Sequence, residues 1–494
     1  MKRFRMHHAV AAAIFAVVAA WCLVDFTIPE PYSQSVETHL SIERLDWRYF
    51  GGRIAVRDKN DRRLLLHLTN EQMTTLLRAG DQGEVLIRGS VYFPRQREHN
   101  KGYITWLASQ GYEGIVNPYY LDVSEITGAS ARLRYTLWIR ERAQQLDPDV
   151  APLFVSMFTG FREYSPQYHA SYAYAGTAHL LAISGLHIGF IFLLAWMVTG
   201  LFTRRTGIRL LAGAAAVTLH TAMVGFPIPA TRATIFTLIY TAGYFLGRRG
   251  DALQTFLLTA TLSLLIWPGS IMGASFQFSY LVTGSLILFA GLFSRWQYPW
   301  VCYLCFFSSL PVAAWHFGYV NLLGALVNLA AIPVFSAMLY SFFLHLVIPV
   351  AGLIEGLHWL MEKVNSIHLV LAVHWSWLGT AGIFILLSIG LWRRLQQYRW
   401  AGLLLLPLTL APFANIEPQA IEFENRHYRL EYSPQEDSVM MKHKQYQPHN
   451  EVYAQRLLLQ NGISRVQTLV VYNAPERGFR HIHSAKTLVE PFGD

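Results

Sequence analysis

The residues of this chain best able to do chemistry lie in one apolar stretch, residues 176–189, which reads G-T-A-H-L-L-A-I-S-G-L-H-I-G. We call this stretch the polar segment, because His179, Ser184 and His187 interrupt it. Polar side chains at membrane depth cost free energy, so they usually face the interior of a helix bundle or a water-filled cavity. We therefore predict that these three line or gate a polar path, with hydrogen bonding to a neighbouring helix as the equally weighted alternative.

The spacing of the two histidines argues against a zinc ion shared between them. On an unbroken helix eight residues rise about 12 Å, whereas each zinc–nitrogen bond is ~2 Å long. The sequence also has no G-x-x-x-x-G-K-[ST] phosphate loop and no G-x-S-x-G nucleophile elbow. His481 and His483 near the C-terminus have no third ligand at metal-binding spacing. These observations predict no enzymatic activity, no metal site and no cofactor.

Three further polar residues lie in apolar surroundings, namely Arg232, Gln277 and Asn328. Arg232, in the sequence P-I-P-A-T-R-A, either anchors a helix end at the membrane interface by snorkelling or meets phosphate, which guanidinium suits well. The two prolines before it indicate irregular backbone, which favours the second role. We predict that all three residues belong to the same path as the polar segment.

Small residues recur in the polar segment at steps of four, three and four, at Ala178, Ala182, Gly185 and Gly189. On a continuous helix these positions share one face. Small side chains let two helices approach closely in lipid, where hydrophobic association does not drive packing. We therefore predict that Ala178, Ala182 and Gly189 pack against a second helix, and that Gly185 lies both on this face and beside the gate.

The composition is that of a polytopic membrane protein with some soluble mass. Of the 494 residues, 53% are hydrophobic and 14% charged, whereas soluble domains average about 25% charged. We attribute the net charge of +9 to the cytoplasmic loops, because these loops are enriched in Lys and Arg in membrane proteins. The three cysteines are expected to be small buried hydrophobic residues rather than redox or metal ligands.

The pattern of hydropathy divides the chain into five segments. Residues 1–29 contain an N-terminal transmembrane helix with a cytoplasmic N-terminus, and residues 30–130 alternate apolar and polar positions as a small antiparallel β barrel or sheet does. Residues 131–150 form an amphipathic connector. Residues 151–416 form a helical membrane domain, and residues 417–494 form a short α/β tail.

The basic loops indicate which side of the membrane each segment occupies. The positive-inside rule assigns the β domain to the non-cytoplasmic side. It assigns the tail to the same side only if residues 319–351 cross or re-enter the membrane twice. Because proline interrupts helices, we predict that this element breaks near Pro333.

The sequence H-L-L-A-I-S-G-L-H-I-G resembles the signature of the ComEC family of bacterial competence proteins. Further stretches resemble the family in order: N-K-G-Y-I-T-W-L-A-S-Q-G-Y, P-I-P-A-T-R-A-T-I-F, W-P-G-S-I-M-G-A-S-F-Q-F-S-Y and V-N-L-L-G-A-L-V-N-L-A-A-I-P. The resemblance implies an inner-membrane channel with an N-terminal periplasmic OB-like domain, which moves single-stranded DNA into the cytoplasm. It also implies a periplasmic DNA receptor and a cytoplasmic motor or helicase as partners.

The tail departs from the family pattern. V-Q-T-L-V-V-Y resembles the strand that leads to the zinc ligands of a metallo-β-lactamase-like domain, but N-A-P-E-R-G-F follows in place of a ligand cluster. We therefore predict a degenerate remnant of that domain, located in the periplasm and without nuclease activity.

We predict that the protein is a channel component of the bacterial inner membrane that takes up single-stranded DNA during natural transformation. A second copy of the chain is a candidate partner, which would make the channel a homo-oligomer. The first alternative is a secondary transporter of a small anion, because such transporters also place polar groups and broken helices at membrane depth. A membrane protein that has lost its transport function is the second alternative.

Overall fold

The computed structural model describes residues 6–48, 51–95, 101–247, 251–289, 297–372, 420–424, 428–444, 450–460, 463, 466–472 and 484–490. The contacts within the chain divide it into two compact units. Unit 1 contains Met1–Tyr164, His179–Ile287 and Phe335–Trp359, and unit 2 contains Ser165–Ala178, Leu288–Val334 and Leu360–Asp494. The predicted spans in residues 373–416, and His481 and His483, lie outside the described residues.

The first soluble segment is a closed five-stranded barrel. Its strands run in the order β1-β2-β3-β5-β4, and a second pairing of the long strand β1 with β4 closes the ring. All pairs are antiparallel except β3 with β5, which are parallel. The short strand β6 pairs antiparallel with the first residues of β4. The strands are β1 Tyr32–Arg48, β2 Gly51–Arg57, β3 Arg63–Leu68, β4 Gln82–Phe93, β5 Gly114–Asp122 and β6 Ile126–Gly128.

The predicted barrel is therefore confirmed, and its five strands match the number in an OB-fold barrel. Alternating residues fill its interior, among them Leu40, Ile54, Leu66 and Ile87, all with no exposed surface. Two helices complete it: α2, Asn70–Ala79, follows β3, and α3, Lys101–Ser109, follows β4. The parallel pair was not predicted, because the helix-containing connection from β3 to β5 leaves no local trace in an alternating pattern.

The connector helix is tied to the barrel at its first residues. Helix α4, Ala131–Ala143, begins after Ser130, whose hydroxyl caps the helix by accepting from the Leu133 amide at 3.1 Å. The Asp81 carboxylate accepts from both the amide and the hydroxyl of Ser130, each at 2.6 Å. The barrel and the connector are thus joined by side-chain as well as main-chain bonds.

The membrane domain is helical. Among the described residues three helices are long and apolar enough to cross a membrane, within Gly185–Phe202, Tyr298–Phe317 and Gly324–His345, and Val10–Asp25 and Ala252–Ile266 are shorter apolar helices. Two short strands, β7 Tyr319–Asn321 and β8 Val370–Ala372, pair antiparallel. Apart from α2, α3 and α4, the helices before the tail are, in chain order, α1 Met6–Asp25, α5 Ala151–Thr159, α6 Pro166–Ala175, α7 Ala178–Leu181, α8 Gly185–Phe202, α9 Thr206–Met223, α10 Ile228–Phe245, α11 Ala252–Ile266, α12 Ala274–Phe289, α13 Gln297–Phe317, α14 Gly324–His345 and α15 Ala351–Asn365.

The predicted break near Pro333 is wrong, because α14 runs through this proline without interruption. A proline in a helix leaves the carbonyl four residues before it without its usual amide donor. Here that carbonyl belongs to Leu329, and the Tyr298 hydroxyl of α13 donates to it at 3.0 Å. Neighbouring side chains that satisfy the freed backbone group are what makes proline tolerable in membrane helices.

The polar segment is broken where the sequence predicts a continuous helix. Helix α7 ends at Leu181 and α8 begins at Gly185, with Ser184 in extended conformation between them. The small residues at 178, 182, 185 and 189 therefore do not form one helical face, and that prediction is wrong. The cause is local: Ser184 and His187 provide an N-cap that starts a new helix.

The tail is a small α/β unit, as predicted. Its five strands lie in the order β13-β12-β11-β10-β9, with β11, β12 and β13 parallel and the others antiparallel. A helix between β11 and β12 covers a core that includes Leu430, Met441, Leu458 and Leu469. The elements are β9 Ile421–Glu424, β10 Tyr428–Ser433, β11 Ser438–His443, α16 Asn450–Gln460, β12 Val466–Tyr472 and β13 Ser484–Glu490.

We expect the tail to lose stability in mild acid. Burial lowers the pKa of His443 from its ordinary 6.5 to about 4, so the folded state holds the ring neutral while the unfolded chain takes up a proton. The free energy of unfolding is therefore unaffected by this histidine above pH 6.5. It decreases by about 2–3 kcal/mol as the pH falls from 6.5 to 4, because only the unfolded chain binds the proton in that range. Hydrogen exchange of peptides from β10–β12, compared at pH 7 and 4.5, measures it.

The control for this effect is His443→Gln, in which the amide can keep a bond like the one that His443 Nδ1 shares with Asn450 Nδ2 at 3.3 Å. The loss of protection in acid should shrink in this variant at matched pH. An equal loss in both proteins would assign the acid sensitivity to other groups.

Candidate functional site: a buried arginine and amide-rich contacts in the membrane domain

Arg232 is a buried cation in the helical membrane domain. It is the fifth residue of α10 and is 3% exposed. Its Nη2 donates to the carbonyl and the hydroxyl oxygen of Ser275, at 2.7 and 3.1 Å. Its Nε and Nη1 are buried without a hydrogen-bond partner, and no carboxylate within the described residues pairs with it.

Aromatic rings surround the guanidinium on the α12 side. The Arg232 Cζ lies 5.9 Å from the centre of the Phe276 ring and 5.6 Å from that of Tyr280. Rings within about 6 Å attract a cation through their π faces. The nearby Gln277 donates through Nε2 to the carbonyl of Ile271 at 3.0 Å, so this predicted site residue braces the turn before α12.

The loop that leads into α10 is strained. Phe226 has a φ of 52° and follows Gly225 with a φ of 76°. Positive φ is unfavourable for a bulky non-glycine residue and concentrates at functional sites. A β-carbon on Gly225 would lie 2.4 Å from the Arg132 guanidinium carbon, so the backbone passes close to a second arginine.

His187 is a helix-capping residue. Its side chain is 2% exposed, and its Nδ1 accepts from the Ser184 amide at 3.2 Å while the Ser184 side chain accepts from the amides of the first turn. This reciprocal pair is a capping box. The Nε2 lies 3.0 Å from the Met157 sulfur, and the Phe335 ring centre is 5.9 Å from the imidazole centre. The geometry favours the structural alternative for Ser184 and His187.

We expect His187→Ala to destabilise the membrane domain and His187→Gln to restore it. Alanine removes a cap of about 1 kcal/mol and leaves a cavity, whereas glutamine at this helix position completes a capping box. Thermal unfolding of the detergent-purified variants gives the ranking. If DNA uptake stays lost in the Gln variant while its melting temperature recovers, the imidazole acts in transport and not only as a cap.

The remaining predicted residues of the polar segment are largely uncovered. His179, Gly185 and Gly189 are exposed, while Ala178 and Ala182 are partly buried. A β-carbon on Gly189 would contact nothing within 4 Å, and one on Gly185 would meet only the Ala233 side chain at 3.9 Å. Within the described residues, Gly185 and Gly189 therefore do not mediate close helix packing.

In unit 2, Asn328 contacts the start of the polar segment. Its Nδ2 donates to the carbonyl of Gly324 at 2.8 Å and, more weakly, to that of Gly176 at 3.4 Å, while its Oδ1 is buried without a hydrogen bond. Arg232, by contrast, belongs to unit 1.

Asn321 holds three segments of unit 2 together, a role that sequence reasoning did not identify. It is 5% exposed; its Nδ2 donates to the Ala175 carbonyl at 2.9 Å, and its Oδ1 accepts from the amides of Leu323 and Leu369 at 3.0 and 2.9 Å. A signal was present, because Asn321 lies three residues before Gly324, where α14 begins, and Asn favours turns through hydrogen bonds from its side chain to nearby backbone.

A comparison with known protein families finds a match to the part of the chain that contains these candidate residues. The family model described as "Competence protein" matches residues 157–412, which is more than half of the chain. The chain belongs to this competence protein family. The matched region begins in α5, includes the polar segment, Arg232 and Asn328, and continues beyond α15.

A relative of this competence protein is "ComE operon protein 3" of Bacillus subtilis (strain 168). The two are 27% identical over 200 residues, which cover 39% of this chain and 25% of the relative. The match therefore spans about a quarter of that protein's length. No solved structure matches the chain. Membership of the family, together with the apolar helices of the described residues, indicates a membrane protein of the competence family.

Proposed function

We propose that this competence protein is a channel component of the bacterial inner membrane that carries single-stranded DNA into the cytoplasm. The observation that carries the proposal is Arg232, a buried guanidinium with two nitrogen atoms free of hydrogen bonds and no carboxylate partner in the described chain. A buried charge without a counter-ion is unfavourable, and the bonds to Ser275 use only one of the three guanidinium nitrogens. Such a cation is retained where an anion reaches it during function.

Phosphate is the anion that suits this site best. Guanidinium presents a planar set of donors that matches phosphate oxygens, and its bonds to ionised partners are stronger than neutral ones. Single-stranded DNA brings one phosphate per nucleotide. Its passage through the hydrocarbon core, about 30 Å thick, requires a polar, protein-lined route.

The barrel supplies a second surface suited to a single strand. Arg88 lies 5.4 Å from the centre of the Tyr120 ring and forms an ion pair with Glu37 at 2.9 Å. The neighbouring Tyr119 is 80% exposed. Exposed aromatic rings beside arginines support base stacking without sequence preference. We propose that these tyrosines contact bases before the strand enters the membrane domain.

In this proposal the N-terminus is cytoplasmic and the barrel periplasmic. The protein performs no hydrolysis itself; a periplasmic receptor delivers the DNA and a cytoplasmic motor or helicase supplies the energy. Phosphatase fusions test the orientation: a fusion at Asp81 should be active and one at Arg205 inactive. The periplasmic location of the tail was predicted on the condition that residues 319–351 cross or re-enter the membrane twice, with a break near Pro333. Helix α14 has no break at this proline. A fusion at Glu436 measures the side of the tail directly.

The decisive experiment follows fluorescent DNA into the cytosol of cells with and without the gene, with unlabelled competitors of graded length. A DNA channel predicts that oligonucleotides compete more strongly as they lengthen. Arg232 would also suit a small anion, and a transporter of that kind predicts competition by inorganic phosphate that is independent of oligonucleotide length. Equal uptake with and without the gene would exclude a role in DNA entry.

A further inference from the structure

A histidine and two glutamates that are far apart in sequence meet on the outer face of the barrel. The Nδ1 of His39 lies 3.0 Å from a carboxylate oxygen of Glu125 and 3.9 Å from one of Glu84. One ligand atom from each of the three lies within 4.8 Å of the other two. In a tetrahedral zinc site with bonds of ~2.0 Å, ligand atoms are about 3.3 Å apart. The three side chains therefore need only small rotamer adjustments to hold one ion.

The strand register produces this meeting. His39 of β1 is opposite Leu86 of β4, which is opposite Asp122 of β5. Side chains two residues apart share a face of a strand, so Glu84 points to the same side as Leu86. Glu125 follows β5 in the turn before β6. Three different segments thus supply the ligands, and an ion bound there would link them.

The charge around this group is not balanced by arginine or lysine. Three other barrel carboxylates illustrate the contrast, because each has an arginine partner: Glu37 pairs with Arg88, Asp58 with Arg62, and Glu43 with Arg57 and Arg63. In the described chain Glu84 and Glu125 have only His39 as a partner.

A further carboxylate, Asp122, lies near His39 on the sheet, because both residues are opposite Leu86 of β4. Its oxygen accepts from the Ser124 amide at 2.9 Å. The face therefore has a surplus of negative charge, which favours a bound cation.

We propose that His39, Glu84 and Glu125 bind one divalent transition-metal ion, with Zn²⁺ as the reference ion. One imidazole nitrogen and two carboxylate oxygens form a ligand set of mixed type that suits Zn²⁺ or Mn²⁺ better than Mg²⁺ or Ca²⁺, which prefer oxygen alone. Three protein ligands leave a position for water or an anionic ligand. This inference does not depend on the proposed transport function.

Zinc titration of the full-length protein in detergent, after treatment with a chelator, tests the proposal. The chain has 19 histidines, so the readout is the difference between wild type and variants. Wild type should show one binding event that is weakened about 100-fold or more in His39→Ala, because loss of an outer-shell partner alone already costs 10- to 100-fold. The melting temperature should rise with zinc in wild type and stay unchanged in the variant.

Two further variants complete the test. Glu37→Gln removes a carboxylate two residues from His39 on the same strand face and should leave zinc affinity unchanged. The double variant Glu84→Gln, Glu125→Gln preserves side-chain size and should lose the binding event even if His39→Ala fails to fold. Equal zinc stoichiometry and affinity in wild type and the double variant would overturn the proposal.

Discussion

Arg232→Met is expected to reduce DNA entry into the cytosol about 30-fold or more while the protein stays as stable as wild type or becomes more stable. Removing one member of a buried charge contact costs 2–5 kcal/mol of binding, and methionine cannot contact phosphate. The folded protein loses two Nη2 bonds to Ser275 but also loses a buried cation with two unbonded nitrogens. Cytosolic uptake and the melting temperature of purified protein measure the two effects separately.

The matched control is Arg209→Met. Arg209 is also in a helix of the membrane domain, but its Nε donates to the Trp196 carbonyl at 3.1 Å and its guanidinium lies 4.1 Å from the Trp196 ring centre. We expect this variant to retain uptake. A large loss of stability in Arg232→Met, with uptake reduced only in proportion to protein abundance, would make Arg232 a structural residue.

Asn321→Leu is expected to destabilise unit 2 by about 3 kcal/mol or more. Leucine has a similar volume but leaves the buried Ala175 carbonyl and the partly buried amides of Leu323 and Leu369 without their side-chain partner. A buried group left unsatisfied costs about 1–3 kcal/mol, and the two partly buried amides add to that cost. Because whole proteins are stable by only 5–15 kcal/mol, the amount of protein in the membrane should fall several-fold. Immunoblots of membrane fractions and thermal unfolding provide the measurement.

Asn328→Leu separates this structural effect from a transport effect. The substitution removes the buried Oδ1, which has no hydrogen bond, and the Nδ2, which donates mainly to the Gly324 carbonyl one turn away in the same helix. The variant should therefore fold as well as wild type, and a fall in uptake would place Asn328 on the DNA path. If Asn321→Leu is as abundant as wild type, the three bonds contribute little to folding.

Local sequence patterns were sufficient to predict the barrel, the tail and the helical membrane domain. Alternation at residues such as Tyr428, Leu430 and Tyr432 signals a strand with one face in the core, and this pattern requires no knowledge of the partner strands. The long apolar helices are equally local, because about 20 apolar residues in a row suffice to identify a membrane span.

Features that depend on a distant residue were not predictable. Pro333 looks like a helix break until Tyr298, on another helix, satisfies Leu329. The group of His39, Glu84 and Glu125 needs the register of β1 on β4 and the turn after β5, which no spacing in the sequence reveals. Arg232 was a candidate from its sequence context, but only the structure shows that two of its nitrogens have no partner.

The bond from Tyr298 to Leu329 also determines how α14 responds to force. The regular hydrogen bonds inside a helix join the amide of one residue to the carbonyl four residues before it, so they break only when the backbone itself moves. At Leu329 the donor is instead a hydroxyl at the end of a side chain, so rotation of that side chain alone releases the carbonyl. We therefore expect this 22-residue helix to bend most easily at Leu329, and the rotamer of Tyr298 on the neighbouring helix to determine how easily it does so.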